Sequence, residues 1–183
     1  MNNLKPIIFL FPVIALILIA ILYISLRKKA TNRSAFNSLI LMITVFAFFL
    51  NLIWELLQMP LYDSASFTIN HITFCALGSV ADAIMVLLLY FGFALIFKTP
   101  FWIHPLKGQR VIIVILIGGI GAALSEMRHL SLGNWAYSDL MPLIPIMNVG
   151  ISPVLQFMVL PVFIYILSFY AVKIINTKNL NLE

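Results

Sequence analysis

The sequence predicts an all-α integral membrane bundle of five transmembrane helices, and three observations predict it. The first is composition. The 183 residues are 63% hydrophobic and 9% charged, with a mean hydropathy of +1.10. A soluble domain is about half apolar and about a quarter charged. A chain of this size leaves much of its surface exposed, so it cannot hide that much apolar area from water. The second observation is length: apolar runs recur at about the 20 residues that a helix needs to cross the hydrocarbon. The third is that basic residues sort to alternate connections. Together these exclude a soluble globular domain, a disordered chain and a nucleic-acid binder. Residues 1–183 read as a single transmembrane domain.

The expected spans are residues 6–26, 36–58, 72–97, 111–127 and 151–172. The first has no charge and runs into Arg27-Lys28-Lys29 without a small-residue cleavage site. It is longer than a signal-peptide core and reads as a retained span. The second carries Glu55 near its end, the third Asp82 inside it, and the fourth ends at Glu126. The connection at 128–150 is the longest, with Trp135, Tyr137, Pro142 and Pro145. Its residues 140–149 are apolar apart from proline and Asn148, so a loop that is partly re-entrant before the last helix is expected. Polar backbone at that depth needs protein cover or water.

Orientation follows from the basic residues. Arg27, Lys28, Lys29, Arg33, Lys98, Lys107, Arg110, Lys173 and Lys178 fall on one side of five spans; Lys5 and Arg128 fall on the other. The positive-inside rule then puts the N-terminus out and the C-terminus in. A cell membrane, the inner membrane of a bacterium, is the expected location. Most of the +5 net charge therefore marks topology rather than an acidic partner. The lone Cys75 excludes an intrachain disulfide and reads as an apolar-like core residue.

With this topology the polar residues of the spans gather in the outer half. Asn51, Glu55 and Gln58 recur at i, i+4 and i+7, one face of a helix. His71, Cys75, Gly78 and Asp82 follow the same rule, which puts Asp82 about 16 Å below His71. Gly118, Ala122 and Glu126 share a face, with Gly119 and Ala123 beside it. Small residues allow close helix approach in lipid, so the fourth span is expected to be the central packing helix. A carboxyl at the bilayer centre costs roughly 2.5–3.5 kcal/mol, so it faces the bundle interior and finds a partner. Glu55, Asp82 and Glu126 are therefore the candidate catalytic acids. Asn51, Trp54, Gln58, His71, Arg128, Trp135, Tyr137 and Gln156 are candidate substrate-binding residues. Each acid also has a structural reading, as a helix-locking or interfacial group. His71 and His129 belong to no dense ligand motif, and no metal or other cofactor is expected. Trp54, Trp102, Trp135, Tyr62 and Tyr137 fit an interfacial aromatic belt.

Two resemblances add to this. Trp54-Glu55-Leu56-Leu57-Gln58-Met59-Pro60-Leu61-Tyr62, then Ser125-Glu126, Trp135-Ala136-Tyr137-Ser138-Asp139-Leu140-Met141-Pro142-Leu143-Ile144-Pro145 and Gly150-Ile151-Ser152-Pro153-Val154-Leu155-Gln156 resemble the signatures of a family of small bacterial multipass membrane proteins with no assigned function. His71, Gly78 and Asp82 look like a variant of a further signature, in which Gly and Asp are more often adjacent; here Ser79-Val80-Ala81 intervene. The resemblance implies the topology and the site but no reaction. Asn51-Leu52-Ile53-Trp54-Glu55 is similar to the AsnxxTrpGlu segment of integral-membrane terpene cyclases, where the glutamate is thought to protonate the substrate.

Three function classes remain open. One is an enzyme using acid catalysis on an isoprenoid or other lipid. Another is a protein that binds or transports a small solute, lipid or proton. The third is an assembly factor whose outer loop meets a membrane-protein partner. The expected partners are membrane lipid and a hydrophobic small molecule, with a homodimer or a membrane-protein partner as further options.

Overall fold

The computed structural model describes residues 10–63 and 65–175. Their helices are α1 (Leu10–Lys29), α2 (Arg33–Gln58), α3 (Ile69–Ile96), α4 (Gly108–Ser131) and α5 (Ile151–Ile175). A 3-10 turn, Met59–Leu61, extends α2, and a two-residue antiparallel pair joins β1 (Leu143–Ile144) to β2 (Val149–Gly150). Among the described residues, four segments are long and apolar enough to cross a membrane: Arg33–Leu61, Ile69–Ile96, Gly108–Ser131 and Ile151–Ile174. The first expected span begins at residue 6, outside the described residues.

α2 and α3 start where capping chemistry allows, three residues earlier than the apolar runs suggest. Asn32 accepts from the Ala35 N–H at 2.9 Å and starts α2. Thr68 accepts from the His71 N–H and starts α3 three residues before the expected span. The helix faces then carry a gradient of polarity. On α2 the buried face runs Phe36, Leu39, Ile43 and Ala47, then changes to Asn51 and Gln58. On α3 it runs the opposite way, from Cys75 and Ser79 to Val86, Tyr90 and Ala94. One end of the bundle therefore has an apolar core and the other a polar one.

The apolar end is built around Trp102. It is 1% exposed, and its ring centroid lies 5.4–5.6 Å from those of Phe93, Phe97, Tyr90 and Tyr165. Its indole N–H donates to the Tyr90 carbonyl at 3.0 Å, and the Arg110 guanidinium donates to the Trp102 carbonyl. Phe101 and Ile103 are buried beside it, so the α3–α4 connection folds under the bundle. The aromatic-belt reading of Trp102 is thus corrected: a belt residue touches the interface, whereas Trp102 fills the core.

The central position expected for the fourth span is also corrected. α4 packs chiefly on α5, whereas α2 packs on both α3 and α5, and α1 lies on α3. The small residues of α4 do allow close approach. A Cβ at Gly118 would collide with the Phe157 carbonyl oxygen, and one at Gly119 would lie 2.8 Å from Met158 Cγ. Pro161 has no N–H, so it cannot take the Phe157 carbonyl as the next turn of a helix would. That carbonyl faces the Gly118 backbone instead, and the α4–α5 seam is fixed there, two turns from Glu126. We expect Gly118→Ala to destabilise the protein by about 1–3 kcal/mol through forced separation of α4 and α5. Gly121→Ala, which meets open space, should be neutral or stabilising. Thermal unfolding of the two variants in detergent checks the contrast.

Candidate functional site

The polar end of the bundle is a hydrogen-bonded network drawn from α2, α3 and α5. Helical spacing places Asn51, Glu55 and Gln58 on one side of α2, and Ser152 and Gln156 on one side of α5. The Ser152 hydroxyl donates to Gln58 Oε1 at 2.8 Å. Gln58 Nε2 donates to Glu55 Oε1 at 2.9 Å and to Gln156 Oε1 at 3.2 Å. Gln156 Nε2 donates to Asn51 Oδ1 at 2.8 Å and to Asp82 Oδ2 at 3.0 Å. Asn51 Nδ2 ends the chain on the Ala47 carbonyl at 2.7 Å. Each carboxamide thus receives and gives in a fixed direction, which sets its orientation. Asn51, Gln58 and Gln156 are buried, while Glu55 and Asp82 are half-buried.

The third carboxyl joins from α4 through the long loop. Glu126 is buried, and one of its oxygens accepts from the Trp135 indole N–H at 3.2 Å and from the Tyr137 hydroxyl. Two connections hold those aromatics in place. Tyr62 and Tyr137 form an antiparallel bridge. Around it Asp63 N–H donates to the Ala136 carbonyl at 2.9 Å, and Ser138 N–H to the Leu61 carbonyl at 3.0 Å. Ser138 Oγ adds a bond to the Pro60 carbonyl at 3.1 Å. Gly150 backs this clamp: a Cβ there would lie 3.1 Å from Tyr137 Cζ and 2.8 Å from Met141 Sδ.

Tyr62 links the two halves. Its ring centroid is 5.5 Å from that of Tyr137 and 6.4 Å from that of Trp135. Burial raises its phenol above the ordinary value, and the charges of Glu126, Glu55, Tyr137 and Asp82 raise it further. All three carboxyls therefore act on one phenol. Burial also raises Tyr137, and its hydrogen bond to Glu126 adds to that. Among the described residues no three His, Cys, Asp or Glu side chains are grouped to hold a metal ion. The carboxyls are spaced by amides and phenols rather than converging on one point.

Of the candidate residues, Asn51, Glu55, Gln58, Asp82 and Gln156 fall in the amide network, and Glu126, Trp135 and Tyr137 in the aromatic clamp. Trp54 packs against the apolar core, and its buried indole nitrogen has no hydrogen-bond partner among the described residues. His71 lies elsewhere: its Nδ1 is within 3.0–3.3 Å of Ser66 and Thr68 atoms, in the turn that opens α3. Arg128 is exposed near the end of α4. His129 stacks on Trp135 at 4.3 Å and contacts Asn134. Sequence reasoning missed Ser152 and the bridging role of Tyr62. Ser152 was discoverable, because it lies four residues before Gln156 on the same face.

The raised phenols give a pH prediction. A group whose folded value is raised keeps its full contribution below the unfolded value and loses it as pH rises. The clamp should therefore be intact below pH 10.0, the ordinary tyrosine value, and weaken above it. Absorbance titration at alkaline pH should show Tyr62→Phe and Tyr137→Phe each removing one late-ionising phenol. The comparisons with known proteins add no relative: no family model, curated protein or solved structure matches the chain.

Proposed function

We propose that the chain is a multipass protein of the cell membrane, that of a bacterial inner membrane, which uses acid catalysis on an isoprenoid or other lipid. In this reading it has five spans, N-terminus out and C-terminus in, and the carboxyl site faces outward. The basic residues of the connections support the orientation. The position of β1 and β2 supports a re-entrant loop. Ile144 and Val149 cluster with Ala123, which lies eight residues, or about 12 Å, before the end of α4.

The observation that carries the catalytic reading is the single network holding Glu55 and Asp82, with Glu126 clamped beside it. Intramembrane carboxyls are costly, and such groups mark reaction or transport sites. Here Glu55 is the proton donor, and Asp82 and Glu126 are the further carboxyls that take up or hold a proton. Environments that set two carboxyls apart define acid and base. Trp135, Tyr137 and Tyr62 wall the site toward the loops. The similarity of the segment 51–55 to integral-membrane terpene cyclases agrees with this assignment.

A second reading is favoured by the continuity of the amide chain from Ser152 to Asp82: a site that binds and passes a proton or small solute. The two part experimentally. Purified protein in liposomes is supplied with a lipid and isoprenoid extract, and consumed species are followed by mass spectrometry. Glu55→Gln should abolish turnover by at least about 100-fold, the scale of one lost acid catalyst, while the protein stays folded. Full turnover in the folded Gln variant would remove Glu55 from the mechanism. Proton or solute flux that needs Asp82, with no species consumed, would establish the second reading in its place.

A further inference from the structure

Between β1 and β2 the chain makes a tight turn in which Asn148 N–H donates to the Ile144 carbonyl at 3.0 Å. Two residues of the turn have left-handed backbone: Asn148 with φ 51° and Ile146 with φ 74°. Asparagine tolerates that region, but for a β-branched residue it is an outlier. Ile146 is also 99% exposed, so none of the described residues packs on it to hold it there. Strain of this kind persists where surroundings or function fix it.

Three further observations say what those surroundings are. Residues 140–150 contain no charged residue, and Leu140, Leu143 and Met147 are exposed beside Ile146. The base of the turn is level with Ala123, well inside α4 rather than beyond its end. The neighbouring helices expose large apolar side chains at that level, among them Ile120 and Leu124 on α4 and Leu155 and Val159 on α5. The turn is therefore continuous with the faces that would meet hydrocarbon.

We infer that the Ile146 turn is a lipid-contacting anchor whose occupant is the acyl-chain region of the bilayer. The β1–β2 pair and the Asn148–Ile144 bond satisfy the backbone at the base of the turn, and the tip backbone stays at the polar boundary, where water satisfies it, with only the apolar side chains in the acyl region. The anchor fixes the loop from outside, while the Glu126 clamp fixes it from inside. The inference needs the chain to lie in a bilayer but does not depend on acid catalysis.

The test uses the Cys75→Ala background, which has no other cysteine. Ile146→Cys is labelled with an environment-sensitive fluorophore in phosphatidylcholine–phosphatidylglycerol vesicles. Ile120→Cys, on the outer face of α4, is the control for bilayer placement. The anchor predicts that both labels are quenched by lipid-borne nitroxide and shielded from aqueous iodide. Iodide quenching at residue 146, with the residue 120 label still quenched by lipid, would overturn the anchor while leaving the membrane placement intact. Shielding of residue 146 from both quenchers would also overturn it, and crosslinking would then show whether a second copy or another protein covers the turn. Ile146→Asn supplies a second readout. In water it relieves the strained backbone and raises Tm. At a lipid-contacting tip it places an amide in hydrocarbon, so Tm in vesicles should fall; a rise would contradict the inference.

Discussion

A polar side chain on a bilayer-length helix must find its partners inside the bundle, and the rest of this structure depends on that constraint. Lipid supplies no donors or acceptors, so each buried carboxamide or carboxyl must be met by another part of the chain. Gln58 and Gln156 meet the constraint by bonding each other and then dividing their remaining groups among Ser152, Glu55, Asn51 and Asp82. The result is a directional joint between α2, α3 and α5. Hydrophobic packing could not set that joint, because in lipid it gives little preference between one helix pairing and another. The opposite end is fixed differently, by shape: Trp102 is enclosed by four aromatic rings, and its N–H is satisfied by the Tyr90 carbonyl.

This division explains the position of the carboxyls. Glu55 and Asp82 lie where the buried amides Asn51, Gln58 and Gln156 are, at one end of the bundle. Glu126 lies on α4, which reaches the bundle chiefly through α5. Its partners instead come from the loop, as Trp135 and Tyr137, and the loop is stitched to the α2–α3 connection through Tyr62. The geometry of Glu126 is therefore set by three separate contacts: the Gly118 seam with Phe157, the Tyr62–Tyr137 bridge, and the close fit of Gly150 against Tyr137. The acid groups share one region without sharing one hydrogen bond.

Much of this was legible in the sequence where the signal is local and periodic. The spacing of Asn51, Glu55 and Gln58 placed them on one face of a helix, and the small residues of the fourth span announced a close helix contact. What spacing does not carry is the identity of the neighbour. Gly118 and Gly119 say that a helix approaches but not that it is chiefly α5, so spacing does not reveal that α4 lies off the centre. Trp102 lies between a span and a basic residue, which is also where a belt tryptophan lies; hydropathy cannot distinguish a loop that folds under the bundle from one at its rim. Tyr62 and Tyr137 are far apart in sequence, so no local pattern could reveal their pairing. His71 lies at the right spacing from Asp82, but its ring bonds back to the turn at Ser66, because local side-chain-to-backbone bonds compete with longer ones.

The central claim is that Glu55 and Asp82 belong to one unit joined through Gln156. The most direct measurement is a double-mutant cycle of Glu55→Gln and Asp82→Asn on unfolding free energy, repeated in a Gln156→Leu background. The account predicts a coupling larger than the roughly 0.5 kcal/mol scatter of independent sites, and its loss when Gln156 is replaced. Additive effects in both backgrounds would show two separate acids that happen to lie at the same end of the bundle, and would contradict it.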